Sequence, residues 1–171
     1  MNSKKKGNKY ERIISKKLSL WLSNGERDDL FWRTQSSGGR FTQRMKVGKK
    51  TVNQDGDISS TTSESEAFSN MFMIECKNYE DINIWSLITG KQLKNSILDW
   101  WNTYKKNADV LNKKLLLVMR QDFKPDIILT NNFFVNILPI AIFKLDEDVY
   151  LYKLDDIINT KFSEVLSDNV I

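Results

Sequence analysis

Two short runs constrain this chain more than any other part of it. Residues 114–120 (KLLLVMR) hold five consecutive apolar residues between charges, and residues 71–77 (MFMIECK) hold four apolar residues ahead of Glu75 and Lys77. A strand with one wet face alternates apolar and polar side chains, whereas an unbroken apolar run has to be covered on both faces. Residues 114–120 therefore read as a buried central strand. Residues 71–77 begin buried and turn polar, so this strand emerges at a polar edge or cleft.

Helices to cover these strands are also visible. Residues 4–22 place Tyr10, Ile14, Leu18 and Trp21, with Ile13 alongside, on one helical face, and Asn24-Gly25 is a stop signal. Residues 91–111 repeat the pattern with Leu93, Ile97, Trp100, Tyr104, Ala108 and Leu111. Between the helices, residues 30–35 (LFWRTQ) form a short strand that ends in the turn Ser36-Ser37-Gly38-Gly39. Residues 40–54 read as a basic arm lacking either periodicity. Asp57-Ile58 opens a brief second strand, residues 59–69 are a polar low-complexity connection, and a linker with Trp85 and Leu87 follows the third strand. Residues 133–143 read as a buried strand; Asn136 and Pro139 interrupt them, and they fall far short of the ~20 residues of a membrane span. Residues 140–143 and 149–154 form a hairpin around Asp146-Glu147-Asp148, with a helix over about 155–166. The reading is an α/β chain with the core order αβββαβ, a mixed central sheet flanked by helices, and a C-terminal β-hairpin and helix. With 171 residues it is one domain, core about 4–120 and addition 121–171.

Composition removes whole classes of function. The 40% apolar and 28% charged residues describe a soluble globular domain and exclude a disordered polymer. The single cysteine, Cys76, allows no internal disulfide and no cysteine zinc cluster, so a reducing, cytoplasmic setting fits. The absence of histidine excludes imidazole triads, haem ligation and histidine-held zinc. Residues 1–9 are basic but lead into no apolar run of secretory type. Net charge is only +4, yet residues 1–50 carry 14 Lys/Arg against 4 Asp/Glu, while residues 51–171 carry 12 against 18. A field concentrated at one end suits a phosphate backbone, and a solvated basic tail is the competing explanation.

Any catalysis must then run on carboxylates, lysine, hydroxyls or a bound metal. Glu11 on the first helix, Asp57 at the second strand and Glu75 on the third are the acidic candidates, joined by Lys77. Side-chain alternation puts Glu75 and Lys77 on one face, where they form either a plain ion pair or half of a site. Asp57 on an adjacent antiparallel strand would add a second carboxylate. This all-oxygen set, with a backbone carbonyl such as that of Cys76, suits magnesium, which keeps several of its own waters.

The segments Lys6-Gly7-Asn8-Lys9-Tyr10-Glu11-Arg12, Arg33 with Ser36-Ser37-Gly38-Gly39, Gly56-Asp57-Ile58 and Ile74-Glu75-Cys76-Lys77 follow one another in an order that resembles the PD-(D/E)XK nuclease superfamily. Within it the likeness is to archaeal-type Holliday-junction resolvases and their phage relatives, over about the first 120 residues. The resemblance implies a restriction-endonuclease-like fold and a magnesium-dependent DNA endonuclease, with manganese as substitute. Asp57, Glu75 and the Cys76 carbonyl would hold the metal, Glu11 would complete the site, directly or through water, and Lys77 would position or activate the attacking water. Arg33, Ser36 and Ser37 would approach the scissile phosphate. Lys4, Lys5, Lys6, Arg40, Arg44 and Lys46 would contact phosphates, and Gln92 would lie near the site. A branched, four-way substrate implies a homodimer acting in the cytoplasm, phage-encoded and without a membrane partner. Linear or damaged DNA is the alternative substrate, and a catalytically silent DNA-binding domain is the alternative role. Gly56 stands where relatives often have proline, and Asp55 competes with Asp57; Ile58 favours Asp57 as the residue entering the sheet.

Overall fold

The computed structural model describes residues 3–34, 55–91 and 93–166. Helix α1 (Ser3–Leu22) leads into strands β1 (Phe31–Arg33) and β2 (Ile58–Ser60), which pair antiparallel as a two-stranded sheet. Helix α2 (Ser63–Met71) runs directly into β3 (Phe72–Tyr79). Helices α3 (Trp85–Thr89) and α4 (Ile97–Val110) then carry the chain over to β4 (Lys114–Gln121), parallel to β3. The antiparallel strands β5 (Ile127–Thr130), β6 (Ala141–Lys144) and β7 (Asp148–Lys153) complete a five-stranded sheet of order β3-β4-β5-β7-β6. Short helices α5 (Leu154–Ile158) and α6 (Phe162–Val165) close the described chain. The architecture is the expected mixed α/β sheet with flanking helices.

Alternation along β3 and β4 divides the core into two layers. Ile74, Cys76, Leu116 and Val118 face Tyr10, Ile14, Leu18 and Trp21 of α1. Met73, Leu115, Leu117 and Met119 face Ile97, Trp101 and Ala108 of α4. Both faces of the central strands are covered, as their unbroken apolar runs require. The stop at Asn24-Gly25 is observed: both residues have positive φ, 53° and 92°, and the Gly25 N–H donates to the Leu20 carbonyl, satisfying a helix-end acceptor.

Several boundaries differ from the sequence reading, each for a local reason. The second long helix begins at Ile97 rather than near residue 91, because Asn95 has φ 60° and the Ser96 hydroxyl caps the helix by accepting from the Asp99 N–H. Leu93 is consequently outside the helix and exposed. Residues 59–69 are not simply a polar connection, since Ser63–Met71 form α2. One ring anchors that helix: Phe68 packs against Phe31, Phe72 and Trp21. Residues 133–143 are not one strand. Phe134 and Ile137 are buried in an irregular segment with Asn136 at φ 63°, and pairing resumes only at Ala141. The expected hairpin is present as β6–β7, but the terminal helix is two short helices separated by Asn159, Thr160 and Lys161.

Candidate active site

Asp57 sits where the two sheets meet. Its N–H donates to the Ile74 carbonyl at 2.8 Å, and its own carbonyl accepts from the Thr34 N–H at 2.8 Å, so its backbone ties the end of β1 to the edge of β3. Gly56 forms a parallel bridge with Ile74, which corrects the expected antiparallel neighbour at this position. The bridge presses the chains so close that a Cβ on Gly56 would lie 2.5 Å from the Ile74 carbonyl oxygen, and Gly56 has φ 85°. Proline is locked near −65° and cannot take that conformation, which explains glycine here. The Asp57 side chain then reaches the Cys76 N–H, which donates to Oδ2 at 3.0 Å.

The cleft beside this junction measures about 580 Å³ and is lined by Glu11, Asp57, Cys76, Lys77, Tyr79 and Tyr104, among others. Glu75 is buried behind it, 3.5 Å from Lys77 Nζ, as same-face neighbours on a strand should be. The Lys77 ammonium lies 4.4 Å from the centre of the Tyr104 ring. On the α1 wall, Glu11 accepts from Arg33 Nε at 2.9 Å, and Arg33 Nη2 donates to Asn8 Oδ1 at 3.0 Å. Asn8 and Glu11 are three residues apart and so share a face of α1. Three separate segments, α1, the start of β2 and β3, thus bring Glu11, Asp57, Glu75 and Lys77 into one neighbourhood.

Its electrostatics favour a cation. Burial pushes the Glu75 carboxyl well above the ordinary carboxylate range, the Asp57 charge adds to this, and Lys77 offsets only part of it. Burial likewise raises Glu11, against the opposing Arg33 hydrogen bond, with Asp57 again adding. Burial alone would lower Lys77, but Glu75 and Asp57 outweigh it and hold the ammonium charged. The Cys76 thiol is raised by burial and then by the surrounding carboxyls, so it is a packed thiol rather than a nucleophile. Asp57 and Glu75 are near enough to hydrogen-bond to each other. A divalent ion between them would relieve the repulsion that raises Glu75. Among the described residues no group of three acidic, cysteine or histidine side chains could by itself hold a metal ion. The donors fit an ion that keeps much of its water, as magnesium does. Cys76 directs its N–H toward Asp57, and the N–H and C=O of one strand residue point the same way, so its carbonyl faces this edge too.

A family model described as "Phage putative PDDEXK endonuclease" matches residues 2–167. The chain belongs to this family of phage endonucleases. The match runs well beyond residue 120, so the family pattern includes β5–β7, which the sequence resemblance did not reach. It carries the nuclease and phage parts of that resemblance and not the junction-resolving part. No curated protein and no solved structure matches the chain.

The remaining sequence candidates divide by position. Arg33 does not line the cleft and reaches it only through its ion pair with Glu11. Lys6 lines the cleft and pairs with Asp122 at 2.7 Å, whereas Lys4 and Lys5 lie exposed on the first turns of α1. Ser36, Ser37, Arg40, Arg44, Lys46 and Gln92 lie outside the described residues. Asp55 is directed to Lys113, 2.9 Å away, and does not line the cleft. Sequence reasoning missed Tyr79 and Tyr104 as cleft residues and Asn8 as a partner of Arg33. Tyr104 could have been singled out, since it alone puts a hydroxyl on the otherwise apolar stripe of α4. No helix among the described residues is long and apolar enough to cross a membrane.

Proposed function

We propose that this chain is a magnesium-dependent DNA endonuclease that hydrolyses phosphodiester bonds at the cleft between α1 and β3, with four-way junctions as its substrate. The observation carrying this reading is the convergence of Asp57, Glu75 and Lys77 at the edge of β3, in a chain of an endonuclease family. Asp57, Glu75 and the Cys76 carbonyl hold the metal, for which manganese can substitute. When bound, that ion supplies charge stabilisation to the phosphate and lowers the pKa of a water. Lys77, kept charged by Glu75 and Asp57 and braced by Tyr104, orients the attacking water and offsets charge developing on the phosphate oxygens. Glu11 accepts a hydrogen bond from that water once Arg33 swings from it to the phosphate. Lys4, Lys5, Lys6 and the basic segment with Arg40, Arg44 and Lys46 hold the DNA backbone. Residues 1–171 work as one nuclease unit in the cytoplasm of an infected cell.

The junction preference rests on the resolvase-like order of the four sequence segments. A four-way junction has two-fold symmetry and is cut on two strands, so the active species is a homodimer. Competition binding in calcium, followed by mapped cleavage in magnesium, tests both parts. The expected result is tighter binding of a four-way junction than of a linear duplex of equal length, with paired nicks near the branch point whatever the arm sequences. Equal affinity with cuts scattered along the arms would remove junction specificity and leave the nuclease.

A further inference from the structure

Tyr79 ends β3 and has no part in the mechanism above. Counting by twos from Glu75, side-chain alternation puts Lys77 and then Tyr79 on the same face, so Tyr79 is the next same-face position beyond Lys77, about 7 Å along the strand. Its ring lies on that of Trp100, with centroids 4.9 Å apart and planes 20° from parallel. Trp100 is fixed in the α4 layer and only 7% exposed, whereas Tyr79 is 41% exposed and lines the cleft. One face of the tyrosine is therefore backed by a rigid indole, and the ring is open toward the place where DNA must pass. The turn that follows is also tied down, because the Asp122 N–H donates to the Tyr79 carbonyl at 3.1 Å and the Asp122 carboxylate holds Lys6 across the cleft.

The charges around this ring argue against a backbone phosphate as its partner. Glu80 and Asp81, both exposed, follow Tyr79 on the same wall of the cleft and would repel phosphate there. An aromatic ring set between Lys77 and two carboxylates suits a neutral, flat group. In a nucleic acid that group is a base, and a base can lie on a protein ring only when it has left its own stack.

We propose that Tyr79, backed by Trp100, is a stacking platform for an unpaired base next to the scissile phosphate, so that the preferred substrate class is DNA with an unpaired nucleotide at the cleavage point. This rests on the nuclease reading above and narrows its substrate. Bulges and single-stranded segments present such a base outright, and a four-way junction presents one once a pair at its branch point opens, while a continuous duplex does not. Tyr79 is a specificity residue in this role and takes no part in bond breaking.

The test uses the full chain in calcium, with oligonucleotides carrying 2-aminopurine as a single unpaired nucleotide moved stepwise along the strand. Stacking quenches this base analogue, so the wild-type protein should quench it strongly at one position and little elsewhere. Tyr79→Phe should keep the quenching and the preference for unpaired over fully paired DNA. Tyr79→Leu should abolish the quenching and reduce that preference by about 5- to 150-fold, the range for removal of one base–aromatic stack. Uniform quenching along the strand in the wild-type protein would overturn the proposal without any variant, as would equal preference in Tyr79→Phe and Tyr79→Leu. Cleavage of the same oligonucleotides in magnesium separates this from the nuclease reading: absent cleavage with position-specific quenching refutes the nuclease, and cleavage without position-specific quenching refutes the platform.

Discussion

A single glycine determines where the key carboxylate points. Gly56 combines φ 85° with a backbone approach to Ile74 too close for any Cβ, and the next residue, Asp57, owes its position on the β3 edge to that approach. Gly56→Ala should cost about 1–3 kcal/mol of stability, the usual scale for a strained backbone conformation, and lower Tm by several degrees. It should also slow cleavage more than it weakens DNA binding, because the displaced residue is Asp57. Thermal unfolding and paired rate and affinity measurements check this; wild-type values in both would show that the bridge does not position Asp57. At this scale the sequence was partly legible. The spacing of Asp57, Glu75 and Lys77 follows from strand alternation and a hydrophobic follower, which are local properties. The reason for glycine in place of proline is a close approach of residues 56 and 74, and no local pattern reports it.

Among the elements, α1 matters most for the site because it carries Glu11 and Asn8. Its docking is polar as well as apolar. Asp126, buried ahead of β5, accepts from Arg120 at 2.6 and 2.7 Å, from Lys17 at 3.2 Å and from the Tyr10 hydroxyl at 3.3 Å, and the Arg120 guanidinium lies over the Tyr10 ring. Removing Asp126 leaves Arg120 and Lys17 without their shared counter-charge, so Asp126→Ala should cost about 3 kcal/mol, or roughly 6–12 °C in Tm. Burial alone would raise this carboxyl, but Arg120 and then Lys17 hold it below its ordinary value. A depressed carboxyl stabilises fully above its unfolded pKa of ~3.9 and loses that contribution as pH falls through its lower folded value. The gap in Tm between wild type and Asp126→Ala should therefore narrow from pH 6 to pH 3, and an equal gap at both would contradict an ionic clamp. Apolar periodicity revealed α1, β3, β4 and the β6–β7 hairpin because each carries enough pattern of its own. Helix α2 is not visible in the sequence because Phe68 alone anchors it, and the apolar period overruns the start of α4 because Leu93 fits it while Asn95 interrupts the helix.

For the whole molecule, the excess of basic residues over residues 1–50 and of acidic residues thereafter gives one end of the chain the field a DNA backbone needs. Replacing Arg40, Arg44 and Lys46 with alanine should weaken binding to all duplexes alike, and the slope of log affinity against log salt should fall by up to ~0.9 for every phosphate that is no longer neutralised. An unchanged slope would show that these charges are only solvated. The overall α/β class was readable because central strands announce burial on both faces. That β5, β7 and β6 extend the same sheet was not readable, since strand order is set by pairing between distant segments. The nuclease reading depends above all on Asp57 and Glu75 making this cleft a metal-dependent site. The cleavage rate of DNA in magnesium, in chelator and in the Glu75→Gln variant, with DNA binding measured alongside in calcium, decides it. The expected result is cleavage by the wild-type chain only with magnesium, a rate lower by at least about 10²- to 10³-fold in the variant, and retained binding. Cleavage by Glu75→Gln at the wild-type rate, or wild-type cleavage undiminished by chelator, would refute the site.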